Sequence, residues 1–198
     1  MLPSALPFFV SENDPPAKRA IITAALELFA TRGVDGVSIR DIAAASGFSN
    51  PAMFRHFKSK EDLAKALFEA CYRRLAVTMR REANAAGSNL RDVLRRSLEL
   101  IESSPEGVHF VLENLRRYWR DLPKEVRTIS LLGSMRHLIK VEQDAGRIRR
   151  NVDIDLASAL VLGALAQIAR MAHFGELSKP PSTLAGELFN LIDRGVGL

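Results

Sequence analysis

At 198 residues, 47% hydrophobic and 26% charged, the chain has the composition of an ordinary globular protein and is long enough to bury a real core. A single cysteine, Cys71, excludes an intrachain disulfide, as suits a cytoplasmic protein. The net charge of +5 is held unevenly, since residues 15–81 carry twelve Lys/Arg against six Asp/Glu while the rest is nearly balanced, so the first third is the part suited to a polyanionic partner.

The opening "MLPSALPFFV" has no basic segment and is broken by Pro3 and Pro7, so it does not read as a secretory signal. Residues 1–14 are expected to form a mobile arm. Asp14-Pro15-Pro16 then offers an N-cap and a proline at the first helical position. Ile21, Ala24, Ala25, Leu28 and Phe29 follow at helical spacing, and Gly33 is placed to end that helix. Ser38 with Asp41, and Ser59 with Asp62, resemble capping boxes.

The helix starting at Ser59 shows Leu63, Ala66, Leu67, Ala70 and Cys71 on one face and Phe68, Tyr72, Leu75 and Met79 on another. It is expected to connect two bodies over residues 59–83, a length of about 35 Å. Further starts are expected at Ser104-Pro105 and before Pro123. Gly146 closes one helix, Asp153 or Asp155 opens the next, and Ser182 opens the last. Strand alternation is scarce. The punctuation predicts an all-α chain of about nine helices: a helix-turn-helix domain over 15–62, then a helical domain over 63–198.

The richest apolar stretch, "LASALVLGALAQIA" (156–169), is shorter than the ~18–20 residues a bilayer requires and is diluted by Ser158, Gly163 and Gln167. A buried helix is expected there and no membrane partner. The last helix carries Leu184, Leu188, Leu191 and Ile192 on one stripe. These two helices would either complete one core or pair with their copies in a second subunit.

The stretch "ASGFSNPAMFRHFKSKEDL" (45–63) crowds turn-makers, rings and positive charge between two helical segments. The first segment turns Ile39, Ile42 and Ala43 inward, and the second, starting at Ser49 with Pro51 in its first turn, buries Met53 and Phe57. Gly47 suits a tight corner with φ > 0. Two helices joined in this way form a helix-turn-helix, leaving the outward residues of the second free to enter a major groove about 12 Å wide.

Residues 17–70 resemble the amino-terminal domain of the TetR family of bacterial transcriptional regulators. The resemblance is carried by Ala25, Leu28, Phe29, Gly33, the Ser-x-x-Asp-Ile-Ala run from Ser38, Gly47, the His56-Phe57 pair and Lys60-Glu61. It implies that Ser38 and Arg40 approach phosphates at the start of the first reading helix. Ser49, Asn50, Pro51 and Ala52 would lie nearest the base edges, and His56 and Lys60 would meet the backbone again. Phe54 stands where the family usually has a phosphate-binding tyrosine and would either pack within the protein or make a van der Waals contact to the DNA backbone, with Arg55 also near DNA. A glycine or flexible residue is common where Pro51 stands. The resemblance further implies a homodimer reading a near-palindromic operator, and a cavity within 90–146 for a small-molecule effector. Leu98, Ile101, Phe110, Leu115 and Leu138 there are mostly core, whereas the rings of Tyr118 and Trp119 are the residues expected to touch the effector.

No phosphate loop, nucleophile elbow or paired-cysteine motif occurs, and His109, His137 and His173 lack ligand spacing, so no metal, cofactor or enzymatic activity is expected. The function expected is that of a ligand-released repressor. A non-specific nucleoid-type DNA binder and, behind it, a small helical enzyme are the alternatives.

Overall fold

Pro15 and Pro16 supply fixed φ angles at the entrance of the first helix, α1 (Pro16–Arg32), whose cap position falls on Pro15. Asp14, expected to cap it, instead holds Lys18 one turn on at 2.8 Å. The computed structural model describes residues 13–85, 87 and 89–196; the expected arm lies outside them except for Asn13 and Asp14. Ten α-helical segments follow one another, among them a single turn at Lys124–Arg127, and no strand occurs among the described residues. After α1 come α2 (Ile39–Ser46), α3 (Asn50–Phe54), α4 (Lys60–Asn84), α5 (Leu90–Ser103) and α6 (Pro105–Tyr118). They are followed by α7 (Lys124–Arg127), α8 (Leu131–Asp144), α9 (Ile154–His173) and α10 (Ala185–Val196).

The chain divides into two compact units, Met1–Arg74 with Glu106–Leu122, and Leu75–Pro105 with Pro123–Leu198. The boundary runs through α4, and most of α6 belongs with the first unit. In that unit α1 packs on α2 and α3 around Ile21, Phe29, Ile42 and Met53, each 2% exposed or less. From α4 come Leu63, Ala64, Leu67, Phe68, Cys71 and Tyr72. The two apolar faces expected on this helix are here one broad face. Ala64, rather than the exposed Ala66, completes it, because residues 63/64, 67/68 and 71/72 recur every four positions. Phe110 of α6 closes the core by stacking on Phe29 at 6.0 Å between centroids. Burial pushes the Cys71 thiol far above its ordinary range, as befits an inert apolar filler.

In the second unit α5 packs against α8, α9 and α10. Its polar ends are closed by named groups: Asn89 caps α5, Ser130 caps α8 and Asp153 caps α9. Asp155, the other residue considered for that last cap, pairs with Arg136 at 2.6 Å. Gly146 takes φ +73° just beyond α8, as expected of a helix stop. Glu142 is buried, and Arg147 neutralises it through two hydrogen bonds of 2.6 and 3.0 Å.

Helix α9 departs from expectation. It runs for 20 residues, and an 18-residue window within it has a mean hydropathy of 1.5, so by length and composition it is apolar enough to cross a membrane, yet only 28% of that window is buried. The expected buried helix turns only one side inward, through Ala157, Val161, Leu165 and Ala169. Leu156 (71% exposed) and Leu160 lie outward with Gly163, and Leu191 of α10 is also exposed.

Candidate nucleic-acid interface

The reading motif is built on a hydrogen-bonded frame. At the head of α2 the Ser38 hydroxyl accepts from the Asp41 amide at 3.2 Å and donates to its carboxylate at 2.7 Å, while the Ser38 amide donates to the same oxygen at 2.8 Å. The backbone bond from Ser38, then the hydroxyl, hold the Asp41 carboxyl below its usual range. Ser38 thus orients α2, and a phosphate contact from it would share a hydroxyl already in use.

Gly47 turns the corner with φ 73° and ψ 13°, a left-handed conformation that side-chain-bearing residues adopt at a cost, although nothing crowds the place a Cβ would take. Ser49 follows in extended conformation, and its carbonyl accepts from the amides of Ala52 and Met53. Its hydroxyl makes no cap bond, and the residue is exposed. Beneath α3, Met53 is 1% and Phe57 6% exposed. These two anchors fix which side of the five-residue helix faces solvent.

The outward side carries the residues the sequence singled out. Arg40, Ser49, Pro51, Phe54 and Arg55 are exposed, and Asn50, Ala52 and His56 are half-exposed. Ser38 is exposed as well, with Lys58 adding another exposed cation. Phe54 is half out in solvent. Phe48, directly after the Gly47 corner, is exposed too and was missed by sequence reasoning. Its only signal was a large ring at a corner where the neighbouring helices already had their apolar anchors.

Lys60 is placed differently from a free phosphate-binding cation. Its ammonium donates to the carbonyls of Val34 and Val37, each at 2.7 Å, tying the α1–α2 connection to the start of α4. An ammonium has three donors, so one is left for an outside acceptor. Ser59 accepts from the Asp62 amide at 3.0 Å, as a cap should, but Asp62 returns its bond to the amide of Lys58, not Ser59.

The first turn of α4 also holds α6. Arg117 donates to both carboxylate oxygens of Asp35, at 3.0 and 2.9 Å, and to Glu61 at 3.0 Å. Tyr118 donates its hydroxyl to Glu61 at 3.3 Å, and Lys65 lies 3.2 Å from Asp121. The Tyr118 side chain is 1% exposed, with its ring 5.5 Å from Phe68, and Trp119 meets Tyr72 edge-on at 5.4 Å. The polar handle that suggested an effector contact for Tyr118 is therefore engaged inside the first unit. Leu98, Ile101, Phe110 and Leu138 are core, and Leu115 is exposed. Among the described residues no three His, Cys, Asp or Glu side chains converge as a metal site.

The motif is a helix-turn-helix with its second helix outward, the architecture of proteins that place a short helix in the major groove. Residues 21–67 match the family described as bacterial regulatory proteins, tetR family. The HTH-type transcriptional repressor Rv3405c of Mycobacterium tuberculosis is 39% identical over 80 residues, covering 40% of this chain and 39% of that protein. The chain thus spans about two fifths of the length of that relative. The structure of the ketosteroid transcriptional regulator KstR2 of Mycobacterium tuberculosis superposes with a TM-score of 0.80 at 19% identity, covering 95% of this chain and 97% of that one. The transcriptional regulator FadR of Bacillus subtilis, solved in complex with stearoyl-CoA, gives a TM-score of 0.64 at 19% identity over 88% and 97% of the two chains.

Proposed function

We propose that the chain is a sequence-specific DNA-binding transcriptional repressor that acts as a homodimer and leaves its operator when a small, largely apolar effector binds. The observation that carries this reading is the outward side of α3, solvent-facing from Ser49 to His56 and braced by the buried Met53 and Phe57. Exposed Arg40, Arg55 and Lys58 supply the sequence-independent attraction to phosphates, and Asn50 supplies a side-chain amide able to bond an adenine edge. The names of the relatives as transcriptional regulators support the same role.

The exposed apolar strip of α9 supports the dimer: Leu156, Leu160 and Gly163 offer a surface that a second copy would cover, and Leu191 of α10 is exposed as well. Twofold symmetry would set two α3 helices one DNA turn apart, about 34–36 Å, to read a near-palindrome. Release follows if the effector binds better to the arrangement with the wrong spacing, since equal affinity for both would shift nothing. The bonds from Arg117 and Tyr118 to Glu61 give α6 a direct hold on the first turn of α4, through which such a shift would reach the reading motif.

The test is binding to the DNA upstream of the chain's own gene against random DNA over a range of salt concentrations. A regulator is expected to discriminate by ~10³ or more, and equal binding to both would leave the nucleoid-type alternative. Asn50→Ala is expected to relax preference at one base pair per half-site at a cost of about 1–3 kcal/mol there, with binding to random DNA unchanged. Leu160→Glu is expected to halve the mass in sedimentation equilibrium and to weaken operator binding with it. A variant that stays dimeric would place the subunit interface elsewhere.

A further inference from the structure

The helix-turn-helix leaves two large apolar side chains in solvent, Phe48 at 37% and Phe54 at 50% exposure. Three others, Ile42, Met53 and Phe57, are 6% exposed or less, and Ile39 is half-buried. The fold therefore covers these two rings only in part and leaves apolar surface of each in solvent. Between Phe48 and Phe54 stand Pro51 and Ala52, which have no side-chain polar atom, and only Ser49 and Asn50 can exchange hydrogen bonds with a base edge. Phe54 follows Asn50 by four residues and Pro51 by three, which puts it on their side of the helix. Phe48 sits on the exposed corner just before that helix.

An apolar reading surface flanked by exposed Arg40, Arg55 and Lys58 suits a polyanion that also offers apolar groups. In the major groove the one apolar feature of a base pair is the 5-methyl group of thymine. We propose that Phe48 and Phe54, assisted by Pro51 and Ala52, read thymine methyl groups, so that this chain selects its half-site by methyl packing together with the hydrogen bonds of Asn50. The inference rests on the DNA-binding reading above and names what that surface recognises. The five residues of α3 rise about 7 Å, or two base-pair steps at 3.4 Å; Phe54 is its last residue and Phe48 lies before its first, so the two rings reach methyl groups on separate base pairs of one half-site.

The experiment starts from an operator duplex selected by the full-length protein from a random DNA pool. Each thymine is then replaced in turn by deoxyuridine, which removes the methyl group and keeps every hydrogen-bonding position. At two or more positions per half-site the replacement is expected to weaken binding about fourfold, the effect of withholding one methylene-sized apolar group, ~0.8 kcal/mol, from burial. Phe48→Ala and Phe54→Ala are each expected to abolish the sensitivity at one position while leaving it at the other, and Phe54→Leu should retain part of it. A melt of each variant separates a loss of folding from a loss of methyl reading, since Phe48 is 37% and Phe54 50% exposed. Tight operator binding that ignores every deoxyuridine, or a sensitivity that survives both alanine changes, overturns the methyl reading and leaves DNA binding intact. If no sequence is enriched from the pool, the reading of the chain as a sequence-specific binder falls, and the methyl reading with it.

Discussion

Replacing Phe68 by alanine is expected to lower the stability of the full-length protein by about 3–5 kcal/mol, seen as a fall of roughly 10 °C or more in the midpoint of thermal unfolding. The ring is fully buried, stacks on Tyr72 at 6.0 Å and packs against Tyr118 at 5.5 Å, so truncation removes its transfer free energy and opens a cavity between α4 and α6. Relaxation cannot fill that space cheaply, because Tyr118 is held by its bond to Glu61 and Tyr72 meets Trp119. The chain has one tryptophan, and it lies beside this cavity, so fluorescence gives a local readout. Trp119 emission is expected to shift red in the variant well below the melting midpoint. A midpoint within 2 °C of the parent would mean that α6 does not close the first unit through this ring.

Lys60→Met is the second change of large effect, because it keeps the aliphatic stem and deletes the ammonium. Two carbonyls, of Val34 and Val37, lose a charged donor at 2.7 Å, and hydrogen bonds to charged groups are worth roughly 1.5–3 kcal/mol each. Lys60 is half-exposed, and water can reach part of what it leaves, so a total near 2–3 kcal/mol is expected. Affinity for DNA is expected to fall for all sequences alike, since the α1–α2 connection carries Ser38 and Arg40 into position. The plot of log affinity against log salt separates two roles: a phosphate bound by the third ammonium donor would reduce the slope by about 1 on mutation. An unchanged slope with a lowered melting point would make Lys60 a positioning residue that touches no phosphate. Double-stranded DNA is the probe in both cases, with melting recorded on the same preparation.

Much of the reading motif could be read directly from the residues. Ser38 and Asp41 form the expected box, Gly47 the expected left-handed corner, and Met53 with Phe57 the expected floor, because each depends on neighbours within four positions. Phe48 escaped notice for a related reason: periodicity assigns apolar residues to faces of a helix, and a residue on a corner has no face. The apolar stretch at 156–169 was expected to be buried because its composition suits a core, yet composition does not say how many sides a helix has covered.

Capping, glycine corners and the four-residue rhythm of α1 and α4 are fixed by local sterics and backbone hydrogen bonding, so the amino-acid order alone determined an all-α chain with an outward-facing α3. Which distant groups meet was decided by tertiary packing. Lys60 finds carbonyls 23 and 26 residues away, and Glu61 finds Tyr118 across 57 residues. Such pairings come from the way whole helices bury their apolar faces together, and no short window of residues contains that information.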